Sequence, residues 1–168
     1  MPEVSLEAIK TLREETSAGV MDCKNALTES NGDMRKAAEI LRQKGLLTAS
    51  KKSSRETSEG LIECYIHTGG RVGAMVELNC ETDFVARTPE FKELAHNLAM
   101  QVAAMAPTYL DYDSVPKSES PTPEESCLME QSFIKDPTTT IRDLINGTVG
   151  RVGENIRVRR FQRFTLGE

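Results

Sequence analysis

The sequence predicts an α+β fold: an N-terminal three-helix bundle followed by an antiparallel sheet packed with helices. Two observations carry this. Over residues 4–46 the apolar side chains recur at helical spacing between strong breaks. From residue 60 the period falls to two across a Gly-Gly turn, and a long, well-signalled helix follows. The expected division is residues 1–50 for the bundle and 55–168 for the core, with an irregular segment at 107–137.

In the bundle, Ser5 is placed to cap a first helix carrying Leu6, Ile9 and Leu12, which Thr16-Ser17-Ala18-Gly19 ends. Val20, Cys23 and Leu27 repeat at helical spacing in a second helix, broken by Asn31-Gly32. Asp33 caps a third, with Met34, Ala37, Ala38 and Leu41 at i, i+3, i+4 and i+7. Gly45 is the expected left-handed stop, with Leu46 packing back. Residues 48–59 have no apolar period and read as a linker, helical continuation being the alternative.

The core opens with a hairpin. Ile62, Cys64 and Ile66 alternate before Thr68-Gly69-Gly70, and Val72, Ala74, Val76, Leu78 and Cys80 alternate after it. Both cysteines share parity with these apolar runs, which predicts buried free thiols. Thr88 as N-cap, Pro89 as first residue and Glu90 in the first turn start a helix that buries Phe91, Leu94, Ala95, Leu98, Val102 and Met105 and stops at Pro107. His96 falls on its solvent side. Residues 107–137 hold five of the seven prolines and few large apolar residues, so an irregular connection is expected, with a turn of helix near 124–131. A last helix from about Thr139 uses Ile141, Leu144 and Ile145, and residues 156–164 form a strand whose alternation slips after Val158. Gly70-Arg-Val-Gly73 echoes Gly150-Arg-Val-Gly153, four residues that are too few to establish a repeat.

Composition narrows the function classes. The chain has 168 residues, 38% hydrophobic and 28% charged, with a net charge of −5, which is globular and not that of a general polyanion binder. Its apolar runs are too short to span a bilayer. Met-Pro-Glu-Val-Ser has neither the basic start nor the apolar stretch of a secretory signal, so the cytoplasm is expected. Four scattered cysteines without a C-x-x-C pair, and two histidines, suggest neither a disulfide framework nor zinc. No phosphate-cradling glycine motif and no hydrolase or metalloprotease motif is present, so the expectation is a non-enzyme that has no cofactor, binds no nucleotide directly and has no membrane partner.

Two places stand out. Thr82-Asp83-Phe84-Val85 lies between a strand end and a helix cap, where loops normally carry polar residues. Loop apolars commonly turn inward, which would tuck Phe84 and Val85 under the hairpin. The alternative is an exposed aromatic wedge beside a carboxylate, suited to a partner's cleft near a cation or phosphate. Met21 lies about 100° around its helix from Val20, off the apolar stripe, as an exposed side chain or a soft docking contact.

Three stretches carry a resemblance. Leu12-Arg-Glu-Glu-Thr-Ser-Ala-Gly-Val-Met-Asp-Cys-Lys-Asn-Ala-Leu27 and Glu77-Leu-Asn-Cys-Glu-Thr-Asp-Phe-Val-Ala86 resemble the two signatures of the elongation factor Ts family. Gly153-Glu-Asn-Ile-Arg-Val-Arg-Arg160 resembles the strand that closes its core. The likeness covers residues 4–106 and 133–167 and identifies a short, single-core form. Residues 107–132 are too short and proline-rich for the helical hairpin that projects from many longer members.

The resemblance implies a bundle similar to ubiquitin-associated domains and a protein that exchanges guanine nucleotide on elongation factor Tu during translation. It implies that Arg13, Val20, Met21 and Lys24 contact the partner's nucleotide-binding domain. Thr82, Asp83, Phe84 and Val85 would displace the partner's magnesium. With length for one core half only, and open strand edges, a homodimer is expected. The rival reading is an RNA- or ribosome-binding protein using Lys51, Lys52, Arg55 and the arginines at 157, 159, 160 and 163. A ubiquitin-type adaptor is a second rival, resting on the bundle's fold alone.

Overall fold

The computed structural model describes residues 4–168. Met1, Pro2 and Glu3, which the expected 1–50 unit and the reading of the N-terminus include, lie outside the described residues. Helices α1 (Leu6–Thr16), α2 (Val20–Glu29) and α3 (Met34–Lys52) form the bundle. The caps are those expected. The Ala8 N–H donates to Ser5 Oγ at 3.1 Å and the Lys36 N–H to Asp33 Oδ1 at 3.0 Å. Ser17, at φ 54°, closes α1 in the left-handed conformation. Ile9, Leu12, Cys23, Ala26, Leu27 and Ala37 are the buried centre. Leu6 and Val20 are exposed instead of buried. Each opens its helix, ahead of the side chains (Ile9 and Cys23) that meet neighbouring helices.

Gly45 is not a stop. Helix α3 runs on to Lys52, taking in half of the expected linker and leaving residues 53–58 as the connection. The reason is tertiary. The second half of α3 packs on α7 (Ile141–Val152), and Ala49 joins the main core. Packing thereby outweighs the helix cost of a mid-helix glycine, about 1 kcal/mol.

Strands β1 (Glu59–Ile66), β2 (Val72–Cys80) and β5 (Ile156–Thr165) make an antiparallel sheet in the order β1-β2-β5. The β2 parity is as expected, with Ala74, Val76, Leu78 and Cys80 buried. The β1 parity is reversed. Tyr65 pairs with Ala74 and Leu61 with Leu78, which turns Leu61 and Tyr65 to the core. Ile62, Cys64 and Ile66 face out and are exposed. Both faces of β1 carry apolar residues, so its own alternation cannot choose between them. Register with β2 does. Cys64 is therefore an exposed thiol, while Cys23, Cys80 and Cys127 are buried.

After the single turn α4 (Asp83–Ala86), helix α5 (Pro89–Met105) covers the inner face of the sheet. The Phe91 N–H donates to Thr88 Oγ1, Pro89 opens the helix, and Ala106, at φ 48°, ends it. Met105, expected inside, is exposed at the last turn. His96 is at the surface, its Nδ1 3.2 Å from Glu63 Oε1.

The segment at 107–137 is less irregular than its composition suggests. It holds α6 (Pro123–Ser126), a 3-10 turn at Leu128–Glu130 and a small ribbon of β3 (Ser132–Phe133) and β4 (Asp136–Thr140). Cys127, Leu128 and Phe133 are buried. Gln101 of α5 pins the segment, since its Nε2 donates to Gln131 Oε1 and Ser132 O, and its Oε1 accepts the Ile134 N–H. A few apolar residues and satisfied buried amides thus do the work expected of a continuous apolar run.

Helix α7 is capped by Thr140 and buries Ile141 and Ile145. The slip after Val158 is a β-bulge. Val158 pairs with Leu78 and Arg160 with Glu77, leaving Arg159 as the extra residue. The Gly-Arg-Val-Gly echo has no structural counterpart, because one copy leads from a hairpin turn into β2 and the other ends α7.

Candidate partner-docking site

The Thr82–Val85 stretch divides the two readings of it. Val85 turns in and is buried, whereas Phe84 stands out 77% exposed. One helical turn separates the two fates. Thr82 is N-cap of α4 and its Oγ1 accepts the Val85 N–H at 3.4 Å, which rotates Val85 to the core and Phe84 to solvent. Asp83 is also exposed, and its Oδ2 accepts from Arg87 Nη2 at 2.7 Å. The result is an aromatic ring and a carboxylate on a short, anchored turn.

Thr82 is held at three atoms. Its N–H donates to Glu154 Oε2 at 3.0 Å and its hydroxyl to Glu154 Oε1 at 2.7 Å. The Cys80 thiol donates to its carbonyl at 3.1 Å. Burial, with the Glu154 charge nearby, pushes the Cys80 thiol up to about 11, so it stays protonated and able to donate near neutral pH. Next to Thr82, Glu81 Oε1 accepts the Asn155 N–H at 2.7 Å. That bond, with Arg55 3.4 Å from Oε2, holds the Glu81 carboxyl below the usual range. Asn155 Nδ2 donates in turn to the carbonyls of Ser53 and Arg55. The mount therefore joins β2, the α7–β5 turn and the end of α3. Glu154 and Asn155 lie in the Gly153–Arg160 stretch that resembles the family's closing strand, but nothing in their residue types marks them as a mount.

On the bundle, Arg13, Val20, Met21 and Lys24 are all exposed. Arg13 lies in the last turn of α1, and Val20, Met21 and Lys24 in the first turns of α2, just past the Ser17–Gly19 connection. Met21 and Lys24, three apart, share a helix face. The four flank the connection between α1 and α2, on elements other than the one carrying Phe84.

Most side chains of the basic clusters are engaged within the fold. Arg160 Nε donates to Glu77 at 2.7 Å, and Arg159 lies 3.8 Å from the same carboxylate. Arg157 donates to Ser53 O, Lys52 to Gly153 O, and Arg163 to Ala103 O. Among the described residues no group of His, Cys, Asp and Glu is placed to hold a metal, and no helix is long and apolar enough to cross a membrane.

The surface thus presents an aromatic–carboxylate pair on an anchored turn, and exposed apolar and basic side chains on the helical bundle. The model of the family described as elongation factor TS matches residues 7–122. Elongation factor Ts of Thermotoga maritima is 50% identical, the match covering 99% of this chain and 98% of that protein. The Desulfosudis oleivorans protein of the same name is 48% identical over the full length of both, and that of Thermoanaerobacter pseudethanolicus 46% over 98% and 96%. The chain belongs to the elongation factor Ts family and is a translation elongation factor. Its match to the Thermotoga maritima protein extends over 194 positions against 168 residues here, so that relative carries residues this chain lacks.

Proposed function

We propose that this chain is a guanine-nucleotide exchange factor for elongation factor Tu, acting in the cytoplasm and without a chemical step of its own. The observation that carries the reading is Phe84, exposed beside Asp83 on a turn anchored at its base. In this reading residues 1–50 are the docking unit, through Arg13, Val20, Met21 and Lys24, and residues 55–168 the core. Asp83 and Phe84 enter between two partner helices, and Thr82 and Val85 supply the fixed ends of the wedge. The partner's magnesium site is disturbed and its phosphate loop loosened.

The energetics are sufficient. Burying a Phe side chain contributes about 2 kcal/mol. Directed at a partner conformation that holds GDP poorly, that weakens GDP by more than tenfold. Coupling is reciprocal, so nucleotide must weaken this chain's hold on the partner by the same factor. Losing magnesium adds to the effect, because the ion is a large local charge on the phosphates.

A homodimer is part of the proposal. The outer sheet face carries Ile62, Ile66, Met75 and Phe164, all exposed. Residues 107–132, which could have covered that face, supply Leu128 to the opposite, helix-lined core instead.

Release of fluorescent GDP from elongation factor Tu tests the exchange reading. Catalytic amounts of this chain should accelerate it by orders of magnitude. Release at the spontaneous rate would refute the reading.

A further inference from the structure

We propose that Glu154 is a positioning residue for the exchange wedge, acting through Thr82; the inference rests on the exchange reading. Glu154 follows the left-handed Gly153 that ends α7, at φ 75°, and so projects from the α7–β5 turn toward the end of β2. Both its carboxylate oxygens are spent on one residue, the N–H and the hydroxyl of Thr82. The second bond has a consequence for the turn. A threonine hydroxyl has one proton and two lone pairs. Donating that proton to Glu154 fixes the hydroxyl's orientation and leaves a lone pair for the Val85 N–H. The cap that sends Phe84 outward is thus set by a carboxylate 72 residues further along the chain. Glu81 makes the reverse connection, accepting from the Asn155 N–H. The two backbones are clamped by a reciprocal pair of charge-assisted bonds, which are about twice as strong as neutral ones.

Neither Glu154 nor Thr82 needs to touch the partner for this to matter. A wedge that must enter a narrow cleft works only while its ring is held in one direction, and a loosened turn loses that orientation.

The test compares wild type with Glu154→Ala, Glu154→Gln, Thr82→Val and the Glu154→Ala/Thr82→Val pair. Maximal GDP-release rate and half-saturating concentration on elongation factor Tu are measured, together with amide hydrogen exchange at Phe84 and Val85. Expected for Glu154→Ala is about a tenfold fall in maximal rate, the scale of losing charge-assisted bonds. The half-saturating concentration should move much less, because the bundle contact is retained. Exchange at Val85 should quicken while amides of α5 stay protected. Glu154→Gln keeps an acceptor oxygen and should recover part of the rate. The double variant should lose less than the sum of the two single losses, since the bond between the Thr82 hydroxyl and Glu154 is common to both. A wild-type rate in Glu154→Ala, or additive losses in the pair, would overturn the proposal. So would unchanged Val85 exchange, a reading that needs no partner. If wild type itself fails to release GDP, the exchange reading falls, and the amide data still decide whether Glu154 braces the turn.

Discussion

Gly45 of α3 and Gly150 of α7 meet where the two helices cross, and a Cβ on Gly150 would stand 3.1 Å from the Cα of Gly45. A Cβ on Gly45 would find nothing nearer than the Asn146 carbonyl at 3.8 Å, an ordinary contact. The pair therefore predicts opposite outcomes for similar changes. Gly45→Ala should stabilise the protein by about 0.5–1 kcal/mol through helix propensity. Gly150→Val should destabilise it by about 1–3 kcal/mol through overpacking against backbone. Urea unfolding of both variants checks this, and a stabilising Gly150→Val would mean the crossing is looser than described.

The wedge gives the most direct functional expectation. Phe84 is 77% exposed, so Asp83→Ala combined with Phe84→Ala should leave the melting temperature within a few degrees of wild type. Stimulated GDP release should fall by at least tenfold, the scale of losing one buried aromatic contact. Full exchange activity in that double variant would remove residues 82–85 from the site.

Docking through the bundle is better tested by substitution than by truncation. Deleting residues 1–50 would take away Ala49 and the half of α3 that covers α7. Met21→Ala with Lys24→Ala touches only exposed positions and should raise the half-saturating concentration by about tenfold, with the maximal release rate nearly unchanged. A fall in maximal rate alone would place these residues outside the docking surface.

Acid should loosen the mount only below the ordinary carboxylate range. The Glu81 pKa is lowered in the folded protein, first by the Asn155 N–H and also by Arg55. A depressed carboxylate contributes stability that is fully present above the unfolded value, about 4.3 for Glu, and is lost as pH falls through the folded value. Glu81→Gln should therefore cost about 1 kcal/mol at neutral pH. Its stability should fall less steeply than wild type's below about pH 4. Parallel acid-unfolding curves would show that Glu81 is not linked to folding.

How much of this was legible in the sequence follows from where the forces act. Caps at Ser5, Asp33 and Thr88 are local bonds within three residues, and each is found as expected. The slip after Val158 likewise shows in the alternation and is the bulge at Arg159. What escaped depends on distant partners. Gly45 looked like a stop because nothing nearby announces α7, a hundred residues on. The β1 face could not be chosen until its register with β2 was known. Phe84 and Val85 were ambiguous as a pair because their separation depends on the capping bond of Thr82, which Glu154 completes from the far end of the chain. The site's residue types were visible, but its brace was not.

The last expectation concerns the sheet's outer face. Ile66 lies opposite Gly73, which lies opposite Phe164, and Cys64, Met75 and Gln162 form the next row. Ile66 and Phe164 are about two-thirds exposed, and none of the described residues covers them. Aligned apolar side chains on an exposed sheet face favour a second sheet, and a twofold axis lets one patch serve both copies. Charge does not oppose this, since Glu77 at the edge of the patch is already paired with Arg160. Phe164→Glu would place a charge in the middle of such a contact, where burying it unpaired is strongly unfavourable. Sedimentation equilibrium should therefore show a dimer for wild type and a species near 18.6 kDa for Phe164→Glu. Cys64 supplies an independent probe. It is exposed in the single chain, whereas Cys80, raised to about 11 by burial, is protonated and shielded. Alkylation at pH 8 should therefore label Cys64 first, at a rate that falls as protein concentration rises. A single wild-type species near 18.6 kDa at every concentration, with Cys64 labelled equally fast throughout, would remove the dimer from the proposal.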